Sequence, residues 1–247
     1  MITLDQLDAV LFDLDGVLTA TARIHARCWK RMFDEYLMRR AERSGTSYEP
    51  FDVERDYLPY VDGKPRYDGV HSFLASRGIE LPWGDPADPP ETATVCGLGN
   101  RKNELFNEVL REERPQVFER AIRYVRRLRE RGVKTAVVTA SKNAAAVLRA
   151  AGIDELFDVQ MDGVVAAELG LAGKPEPDTF LEAARRLGVE PARAAVVEDA
   201  ISGVQAGRAG GFGLVVGVDR TGNAEALTAN GADIVVRDAG DLLNHVT

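Results

Sequence analysis

From Phe118 to the C-terminus, apolar runs of strand length alternate with amphipathic runs of helix length, and this alternation restricts the chain to an α/β fold. Phe118, Ile122, Val125 and Leu128 share one face of a helix that Gly132 ends. A buried strand is expected over Val133 to Thr139, then a helix over Lys142 to Ala151 stopped at Gly152. A helix over Asp178 to Leu187, with Phe180, Leu181, Ala184 and Leu187 inward, precedes a strand at Ala194 to Val197. Helices near Ile201 to Ala209 and at Ala224 to Ala229 alternate with strands at Gly213 to Val218 and Ile234 to Val236. Strands recurring between helices imply a parallel sheet with right-handed crossovers.

One further strand, Ala9 to Leu14, lies about 100 residues upstream of that array. The intervening chain differs in character. It opens with a helix whose apolar positions are Cys28, Trp29, Met32, Phe33, Tyr36 and Leu37. Polar, proline-bearing stretches follow at Ser44 to Pro50 and Pro82 to Pro90, with a second helix at Asn100 to Leu110. The economical division is a core of residues 1–19 and 116–247 interrupted by a mainly helical domain at 20–115.

Charge narrows the functional classes. The chain has 31 basic and 39 acidic residues for a net −8, which argues against nucleic-acid binding. No apolar run is long enough to span a membrane, and Met1 to Val10 does not read as a signal peptide. Cys28 and Cys96 fit no zinc or disulfide spacing. A cytoplasmic protein, monomeric or weakly dimeric, is the expectation.

Four strand ends carry the chemistry. Leu11-Phe12-Asp13-Leu14-Asp15-Gly16-Val17 delivers two carboxylates to the carboxyl end of an apolar strand, where open α/β sheets bind ligands. One aspartate can attack phosphorus while the other manages protons, provided a cation offsets their mutual burial. Val137-Val138-Thr139-Ala140-Ser141-Lys142-Asn143 places a hydroxyl at a second strand end, where amides can hold phosphate oxygens. Thr and Ser are also ordinary helix caps, and Ser141 has that alternative. In Gly173-Lys174-Pro175-Glu176-Pro177-Asp178 two prolines constrain a lysine ahead of a helix. Val196-Val197-Glu198-Asp199-Ala200 brings a second acid pair, with Asp199 and Asp13 as candidate Mg2+ ligands and Glu198 either a ligand or a supporting partner.

The ordered set Asp13/Asp15, Thr139, Lys174 and Glu198/Asp199 resembles the four motifs of the haloacid-dehalogenase-like superfamily. The resemblance spans essentially the whole chain. It implies an α/β fold with a Rossmann-like parallel sheet core and an inserted mainly helical cap domain. It also implies that Asp13 becomes an aspartyl-phosphate, and that Asp15 is the acid/base and gives its carbonyl to Mg2+. Lys174 would stabilise the nucleophile and Asp199 complete the metal site. A closer match is to the β-phosphoglucomutase-like branch. Thr21, His25 and Trp29 are similar to its TxxxHxxxW segment, Gly63-Lys64-Pro65-Arg66 to its phosphate-gripping cap loop, Arg101-Lys102-Asn103 to its RKN segment, and Ser141-Lys142-Asn143 to its SKN. Candidate substrate contacts are therefore Leu14, Arg66, Lys102, Ala140, Ser141, Lys142 and Asn143, with His25 linked to acid/base switching. Outside the resemblance, Arg66 and Lys102 read as surface cations. Ala20 departs from an aspartate common in the mutases, and the insert is longer around Arg39 to Asp56 and Pro82 to Thr94.

The implied reaction is phosphoryl transfer on a sugar phosphate, interconverting β-glucose 1-phosphate and glucose 6-phosphate, with the insert closing to exclude water. Should water be the acceptor, a sugar-phosphate phosphatase results. A catalytically silent binding protein would be expected to lack Asp13, Asp15 or Lys174, and all three are present.

Overall fold

The computed structural model describes residues 6–113 and 115–245. In chain order its strands and α-helices are β1 (Ala9–Phe12), α1 (Ala22–Ser44), α2 (Leu58–Tyr60), α3 (Arg66–Ser76), α4 (Val95–Glu112), α5 (Glu119–Glu130), β2 (Lys134–Val138), α6 (Ala144–Ala151), β3 (Val159–Met161), α7 (Gly163–Glu168), α8 (Asp178–Leu187), β4 (Ala194–Glu198), α9 (Ile201–Ala209), β5 (Leu214–Val218), α10 (Ala224–Ala229) and β6 (Ile234–Val236). They group into two compact units. One comprises 1–20, 63–65 and 115–247, and the other 21–62 and 66–114.

The first unit holds a six-stranded sheet in the order β3-β2-β1-β4-β5-β6, every pair parallel. Strands β1, β4 and β5 are buried along their whole length, as a parallel sheet covered on both faces requires. On one face Leu11, Ala136, Val138 and Val196 join Phe180, Ala183, Ala184 and Leu187 of α8 in a single cluster. On the other, Phe12 meets Tyr124 of α5 edge-on, ring centroids 6.0 Å apart. Each fully buried side chain of this size contributes roughly 1.5–3 kcal/mol. Because β1 sits between β2 and β4, the strand order reverses beside it, and such a reversal opens a crevice beyond the carboxyl ends.

The short strand β3 and helix α7 were not expected from the sequence. A three-residue edge strand, Val-Gln-Met, is too brief to display a period. The pairing that defines it comes from β2, with Ala136 opposite Val159 and Val138 opposite Met161.

The second unit is helical. Its core is aromatic: Phe33 stacks on Trp29 at 5.4 Å and on Phe51 at 5.2 Å, and Phe73 lies 4.2 Å from Phe33. Phe73 belongs to α3, an unforeseen helix where only a loop around Gly63 to Arg66 was anticipated; Val70, Phe73 and Leu74 form its buried face. Among the described residues no helix is long and apolar enough to cross a membrane.

Candidate active site

The turn after β1 is built from its own backbone. The Asp13 N–H donates to the Val197 carbonyl at 2.9 Å, extending the β1–β4 pairing by one residue. The Leu14 carbonyl then accepts three bonds: from the Leu18 N–H at 3.0 Å, the Thr19 N–H at 2.9 Å and the Thr19 hydroxyl at 3.1 Å. Gly16 is demanded twice over. Its φ is +93°, and a Cβ there would fall 1.8 Å from Asp199 Oδ2. Glycine therefore admits the second acid pair against the turn that carries the first.

Lys174 ties the strand ends together. Its ammonium donates to Asp13 Oδ1 at 2.6 Å, to the Val138 carbonyl at 3.2 Å and to Glu198 Oε1. Three protons meet three acceptors, and the residue is only 4% exposed. Glu198 is fully buried, and its Oε2 accepts the Ala200 N–H at 3.1 Å. Gly203, in the first turn of α9, leaves room for that carboxylate: a Cβ would stand 2.0 Å from Glu198 Oε1. The sequence reading did not single out Gly203; its signal was a small residue five positions beyond the last acid-bearing strand end.

The electrostatics follow from this packing. Burial pushes the Asp13 carboxyl well above the usual range; Lys174 opposes that shift, while Glu198 and Asp15 add to it. Burial works against the Lys174 ammonium, but the Asp13 and Glu198 carboxylates outweigh it and hold its pKa above the ordinary value. Oxygens of Asp13, Glu198 and Asp199 all lie within 4.8 Å of one another. Three carboxylates thus share one cluster, the Lys174 ammonium is bonded to two of them, and the Asp15 charge is felt at Asp13. An all-oxygen, negatively charged set of this kind suits a hard divalent cation such as Mg2+. Both oxygens of Glu198 are engaged, by Lys174 and by the Ala200 N–H, which favours Asp13 and Asp199 as the direct ligands.

Thr139, buried at the end of β2, donates its N–H to the Met161 carbonyl at 2.9 Å, and its Oγ1 accepts the Ser141 N–H at 3.1 Å. Ser141 is not the cap of α6. Asn143 takes that position, and Ser141 Oγ accepts the Asn143 N–H at 3.2 Å, shaping the turn ahead of the helix. Ala140, Ser141 and Asn143 are half-buried and Lys142 is exposed. Among the described residues the N–H groups of Leu14 and Ala140 have no intramolecular acceptor. Two strand ends therefore present spare donors beside a hydroxyl, the equipment needed to hold an anion's oxygens.

The second unit holds His25, Arg66 and Lys102. His25 lies in the first turn of α1, its ring stacked on Phe106 at 4.1 Å. Lys102 Nζ is within hydrogen-bond distance of His25 Nδ1. Lys102 is not a surface cation: it is 5% exposed, and its ammonium sits 5.2 Å from the Trp29 ring and 5.0 Å from the Phe106 ring. The aromatic faces supply the cation–π attraction that offsets lost hydration. Arg66, the first residue of α3, donates from Nη2 to Asn103 Oδ1 at 2.9 Å, and burial pushes its pKa down.

A family model described as haloacid dehalogenase-like hydrolase matches residues 7–211. The β-phosphoglucomutase of Mycobacterium bovis is 52% identical over 242 residues, covering 97% of this chain and 92% of that protein. That of Bacillus subtilis is 32% identical over 237 residues, covering 96% of this chain and 92% of its own length. Among solved structures, β-phosphoglucomutase from Clostridium difficile has the same fold, with a TM-score of 0.76 at 24% identity and 97% of each chain covered.

Proposed function

Because the chain belongs to the haloacid dehalogenase-like hydrolase family and is an enzyme of its phosphotransferase type, we propose that it is a Mg2+-dependent mutase interconverting β-glucose 1-phosphate and glucose 6-phosphate through an aspartyl-phosphate on Asp13. The carrying observation is the Lys174 ammonium 2.6 Å from Asp13 Oδ1: it fixes the carboxylate at the end of β1 and offsets its charge.

In the proposed reaction an Asp13 carboxylate oxygen forms a bond to phosphorus as the bond to the sugar oxygen breaks. Asp15, two residues on, gives a proton to the departing oxygen. The second half runs in reverse: Asp15 takes the proton from the acceptor hydroxyl, whose oxygen bonds to phosphorus and frees Asp13. The Thr139 hydroxyl and the Leu14 and Ala140 amides hold the phosphoryl oxygens throughout. Asp13, Asp15 and Asp199 would hold Mg2+, which when bound neutralises phosphoryl charge. Glu198 keeps Lys174 aimed at Asp13.

The test supplies β-glucose 1-phosphate with Mg2+ and a glucose bisphosphate primer, and measures glucose 6-phosphate against free phosphate. Accumulation of glucose 6-phosphate is expected. Predominant phosphate release would reject the mutase and leave a sugar-phosphate phosphatase using the same core. Asp13→Asn should abolish turnover by either route; retained activity refutes the nucleophile assignment.

A further inference from the structure

We infer that Arg220 is a positioning residue for the reaction: it fixes the turn that carries Asp15. This rests on the reading of Asp15 as the acid/base. Arg220 follows β5, whose carboxyl end lies at the same edge of the parallel sheet as those of β1 and β4. Its Nε donates to the Gly16 carbonyl at 2.7 Å. Nη1 donates to the Arg237 carbonyl at 2.9 Å and to Asp238 Oδ2 at 3.2 Å, and Nη2 reaches the same oxygen at 3.3 Å. One face of the guanidinium lies 3.6 Å from the centre of the Phe118 ring.

The contact falls where the backbone is least constrained. Gly16, at φ +93°, has no side chain to restrict its ψ, so its sterics alone do not decide which way its carbonyl points. A planar donor held at its other end by Arg237 and Asp238 does decide it. The preceding residue is Asp15, whose direction depends on the same turn. Arg220 is itself anchored, since Asp219 Oδ1 accepts the N–H groups of Gly222 at 2.7 Å and Asn223 at 2.9 Å and so sets the loop. Phe118 belongs to the returning segment, where its N–H donates to the Leu18 carbonyl at 2.9 Å and Val117 bridges Thr19. Arg220 thus grips the outgoing turn through a hydrogen bond and the returning segment through a stacked ring.

Two substrates with different leaving groups separate positioning from scaffolding. A sugar phosphate needs its leaving oxygen protonated, whereas p-nitrophenyl phosphate departs without help. Arg220→Ala is expected to lower kcat on a sugar phosphate roughly tenfold to a hundredfold, with little change in KM. On p-nitrophenyl phosphate it should lower the first-turnover rate of p-nitrophenol release, the step that precedes base-assisted transfer to the acceptor, by no more than about threefold. Asp15→Asn, run in parallel, should show the same selective loss, larger in size. Equal losses of Arg220→Ala on both substrates, beside a selective Asp15→Asn, overturn the positioning role and leave the mechanism intact. No selectivity in Asp15→Asn overturns the acid/base reading and this inference with it. If Arg220→Ala does not fold, Asp238→Asn, which loosens the far end of the guanidinium, must show the selective loss in milder form; its absence overturns the inference equally.

Discussion

Replacing Gly203 by alanine tests whether the Glu198 carboxylate is locked where the structure places it. Gly203 lies inside α9 with ordinary helical backbone, so alanine alone would favour the helix by about 1 kcal/mol. Against that, the new Cβ would stand 2.0 Å from both Cδ and Oε1 of Glu198 and 2.5 Å from Oε2. Relief requires the start of α9 to retreat by roughly 1.5 Å to an ordinary contact distance, or Glu198 to swing away from Lys174 and the Ala200 N–H. Breaking a buried pair costs about 3–5 kcal/mol, since the remaining charge is stranded. The net expectation is a destabilisation of roughly 2–4 kcal/mol, opposite in sign to the helix-propensity effect. Urea denaturation of four proteins measures it: wild type, Gly203→Ala, Glu198→Ala and the double variant. With Glu198 truncated the new methyl enters vacated space, so Gly203→Ala in that background should be neutral or stabilising, giving a coupling of about 2 kcal/mol or more. Equal cost in both backgrounds, or a stabilised single variant, would refute the reasoning.

Two other outcomes follow from the same structure. Burial holds the Tyr124 phenol above its usual pKa, and among the described residues its hydroxyl has no hydrogen-bond partner; Tyr124→Phe should keep or raise stability, by up to about 1 kcal/mol, read as an unchanged or higher Tm. Asp199→Asn should raise the Mg2+ concentration needed for half-maximal rate at least about tenfold while leaving the thermal midpoint near wild type, checked by titrating Mg2+ into chelator-treated enzyme.

The alternating half of the chain was legible because each element carried its own punctuation. Asp178–Leu187, Ile201–Ala209, Ala224–Ala229 and Ile234–Val236 occupy the spans read from periodicity and terminal glycines. The strand ends bearing Asp13, Thr139 and Glu198 were legible for the same reason: an apolar run that stops at a polar residue marks where a parallel sheet presents its chemistry. What escaped was whatever depends on a distant partner. β3 exists because β2 offers it an edge. Lys102 is buried because Trp29, far off in sequence, and Phe106, one turn later, supply ring faces. Gly203 and Arg220 matter through Glu198 and Gly16, and no local pattern announces either contact.

The bulk charge of −8 sharpens what the site must do. A phosphate monoester approaching β1 meets Asp13, Asp15, Glu198 and Asp199, and the Lys174 ammonium bonded to Asp13 and Glu198 is already committed to three acceptors. Lys174 therefore offsets the nucleophile's own charge and has no donor left for the substrate. The Leu14 and Ala140 amides and the Thr139 hydroxyl are neutral donors, and neutral donors orient an anion without cancelling its charge. A bound cation would add the charge neutralisation that these donors do not supply. A divalent cation, for which Asp13 and Asp199 could supply ligand oxygens, would relieve the repulsion between the acid pairs and the substrate. Phosphate affinity and metal occupancy should on this ground be one property of the site.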